Sequence, residues 1–423
     1  MVGLFCAISG KSININIAVT LALLREIYLQ QMTCQFPPDF IFGTSTSAYQ
    51  IETSFEHDWQ NVVARDGRVF HKTTGHELRM EQDIDVISSL APHYRMGLMW
   101  SKLQRAPFAE FHPDTKAHYH KLLSGLRAKG VSIMMVLHHF ANPLWFVGQG
   151  GWEKKANIDM FVDFARKVVK EYGHYVSSWN TFNEPNLYVS MGWMAGEFPP
   201  FKKNIVRARS VIHTIASAHE QAYAVIKQVF PSHPVGISYN CTVFAPENFL
   251  GRIPASITDY CYMEYPIRLF RSLDFFGMSY YARIGFDPLP VTYIETPTKF
   301  TNSLRPHDDM WEYYPQGLLE CMRRFWRQFK KPIIITENGI STSDDTKRIS
   351  AIQDYLGFVH QAIGEGIDVK GYYHWSTWDN FEWSLGPSYR FGLYSMDAET
   401  HQLIKKPSAD FYREIAHSHI LSR

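Results

Sequence analysis

The 423-residue sequence lacks the features that mark several specialised classes of protein. Its five cysteines are odd in number and form no C-x-x-C pair, so they indicate neither a disulfide framework nor a zinc site. This cysteine usage favours a reducing compartment, and we predict a cytoplasmic protein. The 42 basic and 41 acidic residues nearly cancel, which predicts no nucleic-acid partner and no membrane partner. Asn240-Cys241-Thr242 matches an N-glycosylation acceptor, but a lone tripeptide at a predicted strand does not by itself indicate secretion.

Aromatic residues are the one group present in excess. The chain holds 11 Trp, 23 Tyr and 29 Phe, and 45% of its residues are hydrophobic. That hydrophobic share is ample for a large core and excludes a disordered or collagen-like chain. The aromatic excess leaves two interpretations open: a bulky core, or stacking platforms for flat or sugar-like ligands.

Residues 1–35 differ from the rest of the sequence. Their one apolar run, residues 13–24, is too short to span a bilayer, and no small-residue cleavage site of a signal peptide follows it. We therefore expect residues 1–35 to be a non-core N-terminal extension. Met32 offers an internal start, which would make the extension mis-assigned; a surface helix and a targeting segment are the alternatives. Residues 36–423 contain no linker or charge block and are predicted to form one domain.

Short apolar or β-branched runs alternate with helical patterns along that domain. Residues 158–169 and 318–326 repeat apolar side chains at three- and four-residue steps, as amphipathic helices do. Strands alternating with helices predict a parallel sheet with helices outside it. Eight such runs predict an α/β protein with a (β/α)8 TIM-barrel fold, and a doubly wound open sheet is the alternative. The runs lie at residues 40–43, 94–100, 132–139, 176–182, 235–239, 275–280, 333–336 and 371–375.

Polar and aromatic side chains follow the predicted strands at their C-terminal ends, where barrels of this kind carry their chemistry. Carboxylates, amides, an imidazole and indoles are present there, without a Gly-rich phosphate loop. This combination favours an uncharged polyhydroxyl ligand. Because adjacent residues of a strand point to opposite faces, His138 and His139 do not form a metal pair, and we expect neither a metal nor a cofactor.

Glu184 and Glu337 are the candidate catalytic pair. Each directly follows an apolar strand and has an Asn beside it, Asn183 before the first and Asn338 after the second. One such carboxylate could simply pair with a helix N-terminus or an arginine. Two of them at one rim match glycoside hydrolysis, which needs two carboxyl groups flanking the scissile bond. The acid must stay protonated, and a neighbouring carboxylate raises its pKa.

Several motifs then make the sequence from about Phe36 to near the C-terminus resemble glycoside hydrolase family 1, the retaining β-glycosidases. Thr181-Phe182-Asn183-Glu184-Pro185 is similar to the acid/base motif of this family, and Ile335-Thr336-Glu337-Asn338-Gly339 is similar to its nucleophile motif. Asp379-Asn380-Phe381-Glu382-Trp383 resembles its sugar-binding segment. The resemblance implies a TIM barrel that hydrolyses terminal β-D-glucosides, with β-galactosides and β-fucosides as open alternatives.

The resemblance also implies a role for each site residue. Glu337 would attack the anomeric carbon and form a glycosyl-enzyme, and Glu184 would act first as acid and then as base, about 5–5.5 Å away. Arg95 and Tyr281 would keep Glu337 ionised and oriented. The remaining residues would contact the substrate, a small β-glycoside or oligosaccharide: the sugar ring would be held by Gln50, His139, Asn183, Trp375, Glu382 and Trp383, and the aglycone by Trp311.

Departures from the family pattern leave the substrate open. Ser279 stands where Asn is usual, which predicts a shortened or lost hydrogen bond near the catalytic centre. Loops on the active-site face, at residues 50–83 and 246–274, are short, so a more open cleft is expected. Glu382 argues against phospho-glycosidases, because it would repel a phosphate. Two alternatives remain: a catalytically impaired sugar-binding barrel, and an endo-β-glycanase with the same two-carboxylate chemistry.

Overall fold

Eight parallel strands close into a barrel in the computed structural model, which describes residues 33–53, 55–65, 67–69, 74–287, 289–291, 306–397 and 400–422. The barrel order is β2-β3-β4-β5-β6-β7-β9-β10, and β10 pairs back onto β2. The strands of the described chain are β1 Thr33–Gln35, β2 Ile41–Ser45, β3 His93–Gly97, β4 Ser132–His138, β5 Val176–Asn183, β6 Val235–Pro246, β7 Phe276–Asp287, β8 Leu289–Val291, β9 Ile333–Asn338, β10 Val369–Trp375, β11 Tyr394–Met396, β12 Leu403–Lys405 and β13 Ile420–Ser422.

Each barrel strand is followed by a helix on the outside of the barrel, which confirms the predicted (β/α)8 fold and excludes the open sheet. Shorter helices lie in the loops at the C-terminal ends of the strands. The helices are α1 Ala48–Ile51, α2 Met80–Leu90, α3 Trp100–Leu103, α4 Pro113–Ala128, α5 Leu144–Gly148, α6 Ile158–Tyr172, α7 Pro185–Val189, α8 Ile205–Val229, α9 Arg252–Asp259, α10 Gln316–Phe329, α11 Asp345–Gly364 and α12 Pro407–Ser418.

Two layers of apolar side chains hold the barrel together. The larger one lies between strands and helices, and α6 contributes Phe161, Phe164 and Val168 to it, all fully buried. A separate cluster joins Met134 of β4 to Ile334 of β9 and Tyr373 of β10. Strands β4 and β9 are not neighbours, so these side chains meet across the barrel and fill its interior. The packed interior leaves the rim as the place for chemistry.

One short strand lies at the end of the predicted N-terminal extension, just before the boundary at residue 35. Thr33–Gln35 pairs antiparallel with Ile420–Ser422, which joins the two ends of the described chain. The rest of the predicted N-terminal extension, residues 1–32, lies outside the described residues. No helix within the described ranges is long and apolar enough to cross a membrane.

Candidate active site

Glu184 and Glu337 reach the same rim of the barrel from different strands. Glu337 lies within β9, whereas Glu184 follows β5 and precedes α7, which starts with Pro185. Glu184 has a φ of 43°, in the left-handed region that a residue with a side chain rarely adopts. Its N–H donates to the carbonyl of Ser238 at 2.8 Å, and this bond to the neighbouring strand holds the backbone there. Strained backbone of this kind is characteristic of functional sites.

Two donors hold the carboxylate of Glu337. Arg95 Nη1 donates to Oε1 at 2.6 Å, and the Tyr281 hydroxyl donates to Oε2 at 2.9 Å. Burial raises the pKa of Glu337, while Arg95 and Tyr281 act against that rise by stabilising the ionised form. Burial raises the pKa of Tyr281 well above its usual value, so this phenol keeps the proton that it donates. The arrangement suits an ionised, oriented nucleophile.

Glu184 contacts an amide, where Glu337 contacts an arginine. Burial and then the charge of Glu337 raise its pKa to about 8, so it holds a proton at neutral pH. Asn240 Nδ2 donates to its Oε1 at 3.0 Å and limits the rise, whereas the buried Ser279 hydroxyl has no hydrogen-bond partner in the described part of the chain. Ser279 is fully buried at the position where Asn was expected, and Asn240 provides a direct amide contact to Glu184. Glu337 accepts directly from Arg95 and Tyr281, whereas Glu184 lies beside the charge of Glu337, and this asymmetry suits a nucleophile and an acid.

Asn183 and His139 form the next part of the site. Arg95 Nη2 donates to Asn183 Oδ1 at 2.6 Å, which leaves Asn183 Nδ2 to donate to His139 Nε2 at 2.9 Å. His139 must then be the neutral tautomer with its proton on Nδ1. Burial lowers the pKa of His139 well below its usual value, which agrees with the neutral form. His139 Nδ1 is buried without a hydrogen-bond partner in the described part of the chain.

The segment after β10 supplies Glu382. Burial and then Glu337 raise the pKa of Glu382 to about 8. Gln50 Nε2 donates to the Phe381 carbonyl at 2.9 Å and lies 3.4 Å from Glu382 Oε2, which orients the loop. A protonated Glu382 can both donate to and accept from vicinal hydroxyl groups.

Indole rings complete the walls. Trp375 is buried beside Met310 and Phe391. Trp383 lies 5.6 Å from the His139 ring between ring centroids, and Trp311 lies 5.4 Å from the Tyr281 ring. Flat apolar faces set among hydrogen-bonding groups are what a sugar ring, with apolar faces and a polar edge, requires.

The structure brings nine of the predicted site residues to the wall of one cavity of about 720 Å³. The other two lie behind that wall, Arg95 against Glu337 and Gln50 against Glu382. No group of three or more His, Cys, Asp or Glu side chains in the described part of the chain is placed to hold a metal ion. The nine predicted residues in this wall are His139, Asn183, Glu184, Tyr281, Trp311, Glu337, Trp375, Glu382 and Trp383.

Sequence reasoning missed two polar contributors to this site. Ser238 of β6 accepts from Arg95 Nη2 at 3.0 Å, and Asn240 contacts Glu184. Both belong to β6, which continues to Pro246 instead of ending at residue 239. Asn240 is 8% exposed and hydrogen-bonded, so its match to a glycosylation acceptor has no functional meaning in the folded protein. Asn240 directly follows the predicted end of this strand at residue 239, and that position was the available signal for a role in the site.

Comparison with known proteins agrees with this geometry. The model of Glycosyl hydrolase family 1 matches residues 32–250 and 264–420. The chain is 26% identical over 437 residues to β-glucosidase A of Acetivibrio thermocellus, covering 90% of this chain and 98% of that protein. It is 30% identical over 368 residues to a β-galactosidase of Sulfolobus acidocaldarius, covering 78% and 74% respectively. The structure of a β-glycosidase from Pyrococcus horikoshii superposes with a TM-score of 0.83 at 31% identity, covering 93% of this chain and 97% of that one.

Proposed function

The chain belongs to glycosyl hydrolase family 1 and is an O-glycosyl hydrolase, and from this premise we propose that it hydrolyses terminal β-D-glucosides with retention of configuration. The observation that carries the proposal is that two buried carboxyl groups have different hydrogen-bond partners and so suit different roles. Arg95 and Tyr281 hold Glu337 in a form suited to attack. Glu184 has a pKa of about 8 and therefore stays protonated at neutral pH.

The reaction proceeds in two displacements. In the first, the Glu337 carboxylate forms a bond to the anomeric carbon while the bond to the glycosidic oxygen breaks, and Glu184 protonates that oxygen so that the aglycone leaves as an alcohol. In the second, Glu184 removes a proton from water, whose oxygen attacks the anomeric carbon and releases Glu337. The starting protonation states are then restored, and neither step needs a metal or cofactor.

The sugar ring is held by groups whose hydrogen bonds strengthen in the transition state. Asn183 reads the 2-hydroxyl, because Arg95 fixes its amide beside the nucleophile. His139 and Glu382 bind the remaining hydroxyls, with Gln50 positioning Glu382, and Trp375 and Trp383 cover the apolar ring faces. Trp311 contacts the aglycone. Similar proteins are named β-glucosidase in one case and β-galactosidase in another. The proposal therefore includes activity on β-galactosides or β-fucosides.

The test is hydrolysis of aryl β-glycosides by the wild type and by Glu337→Ala, with the panel comprising glucoside, galactoside, fucoside, mannoside and 6-phosphoglucoside. We expect turnover of the glucoside, none of the 6-phosphoglucoside, and loss of turnover in the variant. Product analysis by NMR should show the β-anomer first. Turnover of no sugar by folded wild-type protein would favour the impaired sugar-binding barrel, and internal cleavage of a polymer would favour an endo-glycanase. The cytoplasmic location stays a prediction.

A further inference from the structure

The cavity does not end at the sugar site but continues outward beyond Glu184. Its outer wall, which we call the apolar wall, consists of Leu187, Met191, Phe244, Ile253, Ile257 and Phe286. These residues come from five elements near the C-terminal ends of β5, β6 and β7: α7, the π-helix Ser190–Ala195, β6, α9 and β7. Glu184 delivers its proton to the glycosidic oxygen, so whatever is attached to that oxygen must occupy the space along this wall.

Several polar side chains in the same region are already engaged with one another. The Tyr262 hydroxyl donates to Asn240 Oδ1 at 2.8 Å, and the Thr242 hydroxyl donates to the same oxygen at 2.9 Å. Asn240 in turn donates to Glu184, and Arg65 at the rim forms an ion pair with Glu197 at 3.4 Å. These groups position the Glu184 side chain and the rim of the cavity. They use hydrogen bonds to one another that a ligand would otherwise receive.

The mouth of the cavity is formed by a helix whose aliphatic side chains point away from the core. Ile253 and Ile257 lie one turn apart on α9 and are 72% and 59% exposed, yet both line the cavity. Ala255, between them, is the buried residue of this helix. Large apolar side chains exposed together at the entrance to a cavity are characteristic of a surface that binds an apolar ligand.

Resting on the proposed β-glucosidase function, we propose that the aglycone of the natural substrate is hydrocarbon in character, an alkyl or aryl group, and that a second sugar binds poorly in this space. A sugar in this space would give up water from several hydroxyls and regain few hydrogen bonds from the apolar wall, which weakens binding. An alkyl or aryl group gains from every apolar contact that it buries.

A series of n-alkyl β-D-glucosides, from methyl to octyl and below their micellar concentrations, tests the proposal against phenyl β-D-glucoside and cellobiose. We expect kcat/KM to rise about fourfold for each of the first added methylenes, the factor that corresponds to burying one CH₂ group. Hexyl and phenyl glucoside should then both exceed cellobiose. A flat alkyl series with cellobiose hydrolysed as fast as the octyl glucoside would overturn the proposal. Hydrolysis of none of these glucosides would instead overturn the proposed function itself.

A pair of double variants locates the effect. Ile253→Asn with Ile257→Asn should reduce the octyl-to-methyl ratio of kcat/KM by at least tenfold, because two apolar contacts at the mouth become polar. The matched control is Ile205→Asn with Val206→Asn on α8, which changes two side chains that are 68% and 77% exposed and lie outside the cavity wall. The control should keep the wild-type ratio. Equal ratios in both double variants would show that α9 does not contact the aglycone, contrary to the proposal.

Discussion

Arg95 Nη1 lies 2.6 Å from Glu337 Oε1, with Arg95 fully buried and Glu337 4% exposed. The same guanidinium donates to Asn183 and Ser238, so one cation from β3 joins the ends of β5, β6 and β9. A buried carboxylate without this partner would be driven toward its neutral form. Arg95 therefore acts both in the fold and in the ionisation of the nucleophile.

Replacing Arg95 separates these two effects. In Arg95→Met, the pKa of Glu337 should rise, so the acidic limb of the pH profile of kcat/KM should move to higher pH. The free energy of unfolding should fall by about 3–5 kcal/mol, since a buried charge loses its partner. Arg95→Lys keeps the positive charge but loses the two separate Nη donors of the guanidinium. It should therefore shift the acidic limb less than Arg95→Met does. An acidic limb that stays in place in Arg95→Met would contradict this role, whatever the change in stability.

The basic limb of the same profile should report Glu184. The reaction needs this group protonated, so above the acidic limb kcat/KM should level off and then fall as the pH rises through the Glu184 pKa of about 8. In Glu184→Gln the basic limb should disappear, and rates should fall by about 10²–10⁴ for alkyl glucosides, whose leaving oxygen needs a proton. A 2,4-dinitrophenyl glucoside, which needs little acid assistance, should lose much less in single-turnover cleavage. A basic limb that persists in the variant would assign it to another group.

Asn240 offers a finer adjustment of the same pKa. Its amide donates to Glu184 and stabilises the ionised form, so Asn240→Ala should raise the pKa of Glu184 above about 8 and extend activity to higher pH. Thr242→Val is the matched control, because it removes a hydroxyl bound to Asn240 but leaves the Asn240–Glu184 bond. Its basic limb should match the wild type. If Asn240→Ala and Thr242→Val had the same basic limb, Asn240 would not be what lowers the pKa of Glu184.

The barrel was predictable because each central strand is a short apolar run, and because polar residues follow the strands where a parallel barrel exposes its rim. Strand length was not predictable from those runs. β6 and β7 extend to Pro246 and Asp287 because they pair with each other well past the barrel, a long-range contact that local hydrophobicity does not encode. That extension places Asn240 beside Glu184 and Phe286 on the apolar wall.

The two glutamates could be selected from sequence because each follows a strand within a recognisable motif, and the family resemblance also supplied Arg95 and Tyr281, whereas the supporting groups on β6 could not be selected. Ser238 and Thr242 are ordinary strand residues, and only the closed barrel brings Ser238 to Arg95. The apolar wall was missed for a similar reason. Ile253 and Ile257 are four residues apart, a spacing typical of a helix face buried against a core, yet in the structure both side chains are exposed at the cavity mouth.

Gly339 links the packing of the barrel to the position of the nucleophile. A Cβ at this residue would lie 2.1 Å from the carbonyl oxygen of Trp375, so Gly339→Ala must push β9 and β10 apart between Glu337 and Trp375. We expect a loss of about 1–3 kcal/mol in the free energy of unfolding and a fall in kcat of up to about 10²-fold, because small displacements of a nucleophile are costly. Gly364→Ala, where nothing lies within 4 Å, should gain up to about 1 kcal/mol and keep full activity. If denaturant unfolding and kinetics gave the same result for both variants, the close contact between these strand ends would not be what positions Glu337.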